Sequence, residues 1–504
     1  LEGQSYGDTP GGRACMKPCR DCTTDFLLPR RKKESIESPG NQPTDLEIRF
    51  TCLEQLMSQR ISKKLPGDTP AELAGDDVIR VLQGAGHRAY RVGGAVRDRL
   101  LGRIPGEVDV ATDAVPSKVR ELFPETYAVG ESFGVIVVHT ARSIDIEVAT
   151  FREEREYADG RHPTEVRFST PEKDAQRRDF TINGLFYDPV NEEVLDFVGG
   201  MPDLRRGIVR AIGAPAERFR EDHLRMLRAA RFAAKLRFYL DDSTADACRA
   251  QASSIHRISD ERVFAELRKM LMPGMAGPAF ALMHRLGLLS EILPEVAAME
   301  GVEQPPQFHP EGDVWQHTLL MLSMLRVPRE VLAWAALLHD VGKPPTQHFA
   351  EDRVRFPKHA NQGAEMSRRI LRRLKAPKRL IDDVHDCIRN HMAFMDVPNM
   401  KKSTLRRLMA RPTFADELEL HRLDCRASHG KLDNYVLLLD KMAEFAAEPV
   451  MPPPLLTGHD LMSMGIPEGP EIGRLLGMIQ ERQLEGEINT REEALETVRN
   501  ELKA

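Results

Sequence analysis

YRVGGAVRDRLLGRIPGEVDVAT, residues 90–112, decides how the first half of the chain is read. A short strand-like start runs into the pair Gly93-Gly94, and a helical pattern follows from about Ala95. The stretch closes on an acidic alternation, Glu107-Val108-Asp109. Glycines carry no Cβ, so the backbone can approach a bulky anion, and a helix N-terminus directly after them favours phosphate. On a strand, residues 107 and 109 point to one face. Two carboxylates on one face beside such a turn suit magnesium ions in an in-line phosphoryl displacement. Taken alone, the triplet describes an acidic strand end equally well.

Working outward, "AGDDVIRVLQGAG" (74–86) has helical spacing, while "FGVIVVHT" (133–140) and "SIDIEVATF" (143–151) are β-branched or alternating. Asp145 and Glu147 share a face of the last of these strands, and either could supply a third carboxylate. The region from 75 to 202 therefore reads as a mixed α/β domain. From 203 the patterns turn almost wholly helical, as in "AERFREDHLRMLRAARFAAKL" (216–236). Residues 203–300 form one helical block and 301–447 a second. The proline-rich "EPVMPPPLL" (448–456) opens a helical tail, 448–504.

A chain of 504 residues suggests about three domains, and 41% hydrophobic with 29% charged residues is ordinary globular composition. No run approaches the roughly 18 apolar residues of a membrane span, and no signal-peptide pattern opens the chain, which reads as cytoplasmic with no membrane partner. The net charge of −6 announces no nucleic-acid binder. Two stretches depart from that average. "MSRRILRRLKAPKRL" (366–380) carries seven Lys/Arg and "KKSTLRRLMAR" (401–411) five, neither with an acid. Such faces can track phosphates, and they also describe solvated helix surfaces. Cys15, Cys19 and Cys22 have a spacing that can hold an iron–sulfur cluster. They lie in a Pro/Gly/charge-rich leader, 1–74, for which the composition predicts disorder.

Asp222 and Arg225 in "REDHLRML" (220–227) stand at i and i+3 and are expected on one helix face. An ionised carboxylate only accepts hydrogen bonds and a guanidinium only donates. Cytosine and adenine each present an amino donor beside a ring-nitrogen acceptor, and uracil and guanine reverse that order. One Asp/Arg pair can therefore select C and A, although the same spacing also describes a helix salt bridge. "FREEREYADGRHP" (151–163) reads as a polar loop between strands.

Farther along, "VWQHTLLML", "LLHDVGKPPTQH", "FPKHANQGAE", "IRNHMAFM" and "HRLDCRASHG" supply His317, His339, Asp340, His359, His391 and Asp424. A lone helical histidine is usually a satisfied core residue. An adjacent His-Asp pair, with a histidine upstream and an aspartate downstream, is better explained by a metal, and imidazole plus carboxylate suits Ni2+, Co2+, Mn2+ or Zn2+.

"YRVGGAVRDRLLGRIPGEVDVATDAVPSKVRELF" (90–123), "IEVATFREEREYADGRHP" (146–163), "DAQRRDFTINGLFYD" (174–188) and "REDHLRMLRAARFAAKLRF" (220–238) together resemble the class II tRNA nucleotidyltransferase/poly(A) polymerase family, from about residue 78 onward. The resemblance implies a polymerase-β-like mixed-sheet nucleotidyltransferase head (75–202), an all-α neck and RNA-binding body (203–300), and a helical tail. It implies addition of CCA to tRNA from CTP and ATP with Mg2+, by a monomer or homodimer. Glu107 and Asp109 would hold Mg2+ with Glu147 as third acid. Gly93, Gly94, Arg97, Arg177, Arg178, Asp179 and Asn183 would bind the nucleotide. Asp222 and Arg225 would choose the base, Arg228 and Arg231 would extend the cationic side, and 151–163 would be the loop that helps the site pass from C to A. The family usually has Asp where Glu107 stands. The basic helices would follow the tRNA phosphates.

The histidine-rich block (301–447) resembles the HD phosphohydrolase superfamily. His317, His339, Asp340 and Asp424 match its metal set, and His359 and His391 its accessory histidines. That implies phosphatase or 2′,3′-cyclic phosphodiesterase activity. Poly(A) synthesis, a partial CC- or A-adding activity, and an HD hydrolase or RNA-binding module with an inactive head are the alternatives. "YAVGESFGVIVVH" (127–139) is closer to the CCA-adding form.

Overall fold

A computed structural model describes residues 68–128, 134–157, 163–446 and 449–503. Cys15, Cys19 and Cys22 lie outside them. Helix α1 (Pro70–Gly84) starts with a proline in its first turn and a reciprocal capping box between Thr69 and Glu72. The helix thus begins before residue 75, because that box holds 70–74 in it. Buried Glu72 and Asp76 of α1 both receive Arg91, at 3.1 and 2.5 Å, which fixes the strand leading into the glycine turn.

That strand, β1 (Ala89–Val92), gives way at Gly93 to helix α2 (Gly94–Leu100). Strands β2 (Asp109–Thr112), β3 (Thr126–Ala128), β4 (Val135–His139) and β5 (Asp145–Thr150) follow. The expected loop 151–163 is instead largely strand. β6 (Arg152–Tyr157) pairs antiparallel with β7 (Pro163–Phe168) in a separate two-stranded ribbon, and residues 158–162 lie outside the described set. Helix α3 (Pro171–Gln176) leads to β8 (Leu185–Asp188) and β9 (Glu193–Asp196). The main sheet runs β3-β4-β5-β2-β1-β8-β9. Its single parallel pairing joins β2 to β5 at the centre, and the other neighbours are antiparallel.

Beyond the head, α4 (Pro215–Glu221), α5 (Leu224–Leu236) and α6 (Asp260–Met270) build the neck. Helices α7 (Val314–Ser323), α8 (Glu330–Leu338), α9 (His359–Arg373), α10 (Lys378–Asn390) and α11 (Phe414–Ala427) frame the histidine-rich block. One apolar core runs unbroken from Val96 and Phe180 of the head, through Phe232 and Phe280, to Trp334 and Leu423. The tail closes on its own core around Leu461, Leu475 and Val498. Among the described residues no helix is long and apolar enough to cross a membrane.

Candidate functional site

The parallel pairing of β2 with β5 sets Asp109 opposite Glu147. Residues side by side in neighbouring strands project to the same face, so both carboxylates emerge together. Asp145 is engaged elsewhere, by His139 at 2.7 Å, which leaves Glu147 as the acid of β5 beside Asp109. Glu107 stands before the strand rather than in it, since β2 begins only at Asp109. The alternation persists: Val108 and Val110 are buried while Glu107 and Asp109 are exposed. Asp109 opens to solvent on one side, yet crowding by the surrounding protein, then Glu147 and Glu107, push its carboxyl up to about 6 against the pull of Arg178. Accumulated negative charge of this kind is what a hard divalent cation relieves, so the donor set fits Mg2+.

Gly93 adopts φ +68, and a Cβ there would come within 3.1 Å of Arg178 Nη1. The backbone at Gly93 and the guanidinium therefore touch closely, which only glycine permits. Arg178 also lies over the Phe186 ring at 5.1 Å. Asp174 on α3 holds both arginines of the "RRDF" run, Arg177 at 2.7 Å and Arg178 at 2.9 Å. Asp179 is buried and accepts from Asn183 at 2.9 Å and from Arg228. Burial would raise its carboxyl, but Arg228 and Asn183 outweigh that and bring it down to about 2. Asn183 in turn accepts from Arg97 at 2.5 Å. Arg231 faces inward to Glu266 at 2.6 Å and so is spent on an internal pair.

Asp222 and Arg225 are not on one helix. Asp222 ends α4 in extended conformation (φ −147), because its carboxylate accepts the Leu224 N–H at 3.0 Å and opens α5. Its other oxygen receives Arg262 at 2.9 Å. Arg225 is held by Glu221 at 2.6 Å and by the carbonyls of Arg218 and Arg177. Glu221 and Asp174 escaped the sequence reading; their i,i+4 spacing to Arg225 and Arg178 was the available signal.

A cavity of about 940 Å³ opens between head and neck, lined by Arg103, Arg231, Lys235, Arg237, Arg268, Lys269 and Phe264. The basic stretches expected to serve as phosphate tracks are partly consumed internally. Arg373 forks onto Glu295 at 2.7 and 2.8 Å, Arg407 meets Glu481 at 2.6 Å, and Arg406 donates to the carbonyls of Pro449 and Val450.

The second site gathers all six expected residues. His317 Nε2 lies 3.2 Å from Asp424, His339 Nε2 3.1 Å from Asp340 Oδ2, and His359 Nε2 3.2 Å from His391 Nε2. Each ring is turned inward by its other nitrogen. Nδ1 of His339, His359 and His391 meets the carbonyls of Ala336, Phe356 and Ile388, and Nδ1 of His317 meets Glu311 at 2.6 Å. Such outer partners fix metal-ligand tautomers. Burial would lower the His317 imidazole, but Asp424 and Glu311 hold it up at about 9. Burial and the neighbouring His359 and His339 push His391 down to about 4. Glu311 and Lys343, whose Nζ reaches Asp340 at 2.7 Å, were not foreseen. Ligand atoms of buried His317, His339 and Asp340 lie within 4.8 Å of one another, so the pocket fits a divalent metal.

Three stretches of the chain match known family models. Residues 89–210 match the poly A polymerase head domain, 237–300 the probable RNA and SrmB-binding site of polymerase A, and 313–424 the HD domain. A CCA-adding enzyme of Bacillus subtilis is 39% identical over 53% of this chain and 63% of its own. Matches to a Salmonella typhimurium poly(A) polymerase I and an Anoxybacillus flavithermus CCA-adding enzyme span 49% and 55% of those proteins, so the chain covers about half to two thirds of these relatives. The crystal structure of a Bacillus stearothermophilus CCA-adding enzyme in complex with CTP superposes with a TM-score of 0.65 at 29% identity, over 86% of this chain and 100% of that one. A CC-adding tRNA nucleotidyltransferase of Thermus thermophilus aligns over 81% of this chain and 92% of its own length at 33% identity. On that near full-length match, over a head, neck and HD block arranged as described, the chain belongs to the tRNA nucleotidyltransferase/poly(A) polymerase family.

Proposed function

We propose that this protein builds or repairs the 3′ end of tRNA, adding C, C and A from CTP and ATP in the cytoplasm. The observation that carries the reading is the Asp109–Glu147 pair beside Arg178 and the Gly93 turn, tied through the Arg177 carbonyl to Arg225. Asp109, Glu147 and Glu107 would hold Mg2+, which when bound supplies charge neutralisation for in-line attack by the tRNA hydroxyl. Arg178 and the Gly93 backbone receive the triphosphate, the one by charge and the other by leaving room. Asp222 presents an acceptor and Arg225 its remaining N–H donors, a combination that matches the edges of C and A. Arg262 and Glu221 hold those two groups in place, so base choice needs no nucleic-acid template.

The deciding experiment offers tRNA ending at the discriminator base CTP and ATP, singly and together, followed by sequencing of the ends. C, C and A are expected in that order. CC alone would reassign the chain to the partial class of its Thermus relative, a run of A to poly(A) synthesis, and no addition would overturn the reading.

A second activity, metal-dependent phosphoester hydrolysis in residues 313–424, is favoured by the inward-turned imidazoles around Asp340. His317, His339, Asp340 and Asp424 would hold a Ni2+, Mn2+, Co2+ or Zn2+ ion, which supplies Lewis acidity toward a phosphoryl oxygen. Release of phosphate or opening of a 2′,3′-cyclic nucleotide by the metal-loaded protein tests it.

A further inference from the structure

We infer that the cavity between head and neck seats the unpaired discriminator nucleotide of the tRNA, with its base against the Phe264 ring and its phosphate among Arg103, Lys235 and Arg237. Resting on the tRNA reading of the protein, this goes beyond a grip on the backbone, since it gives one base a pocket of its own.

The walls of the cavity are of two kinds. Phe264 of α6, Met272, Pro273 and Met275 make an apolar side, and the cations stand around it. A surface that only tracked phosphates would have no use for that apolar side. Phe264 is stacked on Trp334 of α8, with ring centroids 5.6 Å apart and planes 10° from parallel. Trp334 is fully buried, so it backs the Phe264 ring from the protein side, and Phe264 lines the cavity as the outer member of the stack. A base entering there becomes the third ring of that stack. Met272, 42% exposed, leaves further apolar surface open on the same cavity. Every base has a π-face, so such a pocket imposes no sequence on the RNA.

The charges give the second, independent observation. Several of the cations are answered from within: Arg231 by Glu266 at 2.6 Å, Lys269 by the same carboxylate at 3.6 Å, Arg268 by Glu330 at 2.8 Å and Lys235 by Asp98 at 3.9 Å. Arg103 and Arg237 are exposed and meet no acid among the described residues. Burial, opposed by Asp98 but helped by Arg97, Arg231 and Arg103, holds the Lys235 ammonium below its usual value. A surplus of positive charge beside an aromatic ring is the composition with which proteins hold single-stranded RNA. A volume of about 940 Å³ is room enough for a whole nucleotide.

Position selects which nucleotide. Helix α5 carries Arg225 at its base-choosing end and Lys235 in the cavity, about 15 Å apart along the axis. The incoming nucleotide is read at Arg225, so an RNA residue only a short way back from the growing end reaches the cavity. The discriminator nucleotide is unpaired before any addition begins, and its base is free to leave the stack.

A cycle between base and ring tests this, read as equilibrium binding of the full chain to tRNA ending at the discriminator, without CTP or ATP. It compares wild type with Phe264→Leu, each on normal tRNA and on tRNA abasic at the discriminator. Either single change should weaken binding by about 10-fold, the order of one base–aromatic stack, and the two together should cost no more than one alone. The salt dependence of binding should stay unchanged in Phe264→Leu, since no phosphate contact is lost. Met272→Gln, at an exposed side chain, repeats the cycle should Phe264→Leu misfold. Losses that multiply in both variants would overturn the pocket, and so would binding indifferent to the abasic site. Free AMP held by wild type and lost in Met272→Gln, with the tRNA losses multiplying, would overturn the RNA assignment and leave a mononucleotide pocket. No binding of tRNA by the wild type would overturn the tRNA reading of the whole protein.

Discussion

Asp109 on β2 stands in register with Glu147 on its parallel neighbour β5, so one hydrogen-bonded strand pair delivers two carboxylates to the same face of the sheet. Glu107 reaches them from the loop before β2, where no ladder constrains it. Asp109→Asn and Glu147→Gln should therefore lower nucleotide incorporation by on the order of 100-fold or more, as loss of a metal ligand does. Glu107→Asp should retain much of the activity and Glu107→Ala little. Single-turnover incorporation of CTP at saturating Mg2+ distinguishes them, and near-normal turnover by Glu107→Ala would remove that residue from the metal set.

Gly93→Ala should be among the most damaging small changes in the head. The residue holds φ +68 and ψ −128, a conformation that costs a non-glycine residue about 1–3 kcal/mol, and its new Cβ would press on Arg178. Thermal melting should fall modestly while incorporation falls far more, because the displaced guanidinium is the group proposed to receive the triphosphate.

The cleft between head and neck should grip the tRNA backbone. Arg103→Gln and Arg237→Asn each remove a lining cation, and asparagine suits the left-handed backbone at 237 (φ +60). Each variant should raise KM for tRNA and leave KM for CTP unchanged. The slope of log affinity against log salt should shrink by about 1 per lost phosphate contact. Equal rises in both constants would place the cations at the nucleotide instead.

Asp179 links stability to pH. Its folded carboxyl titrates at about 2, against 3.8 when unperturbed, because of Arg228 and Asn183. The folded state thus gains from ionisation above pH 4, and the gain vanishes as pH falls through 2. At neutral pH it amounts to about 2 kcal/mol. Denaturant unfolding of wild type and Asp179→Asn should differ most at pH 7 and converge toward acid. A gap that stays constant would mean that shape, not charge, holds Asp179.

Much of this was legible in the sequence because it depends on short-range spacing. The two glycines, the acid alternation and the His-Asp pair are each fixed within a few residues, and backbone geometry carries them directly into the site. What spacing could not show was partnership across the fold. That Asp145 would turn to His139 and leave Glu147 beside Asp109 follows from strand order. That Arg231 would be consumed by Glu266, 35 residues away, follows from packing of α5 on α6. Asp222 and Arg225 mislead for the opposite reason. Their i,i+3 spacing is a helical signal, but the aspartate caps the helix that the arginine occupies, a competing use of the same short side chain. Glu311 precedes α7 and meets both His309, two residues back, and the His317 ring six residues on.

The apolar core that runs from Val96 to Leu423 without a break joins the Phe180, Ile182 and Leu185 flank of the head to the histidine block in one melting event. A ligand that binds only the native HD pocket stabilises every element sharing that core, by mass action and regardless of distance. Calorimetry with metal added at the histidines should therefore shift the transition that also dissolves that flank, while β2 and β5, packed around Val110 and Val148, and the tail, packed around Leu475, have cores of their own and are free to melt apart from it. Scarcity of a trace metal would then loosen the Asp179 and Asn183 side of the head through its folding equilibrium, with no allosteric path required between the two pockets.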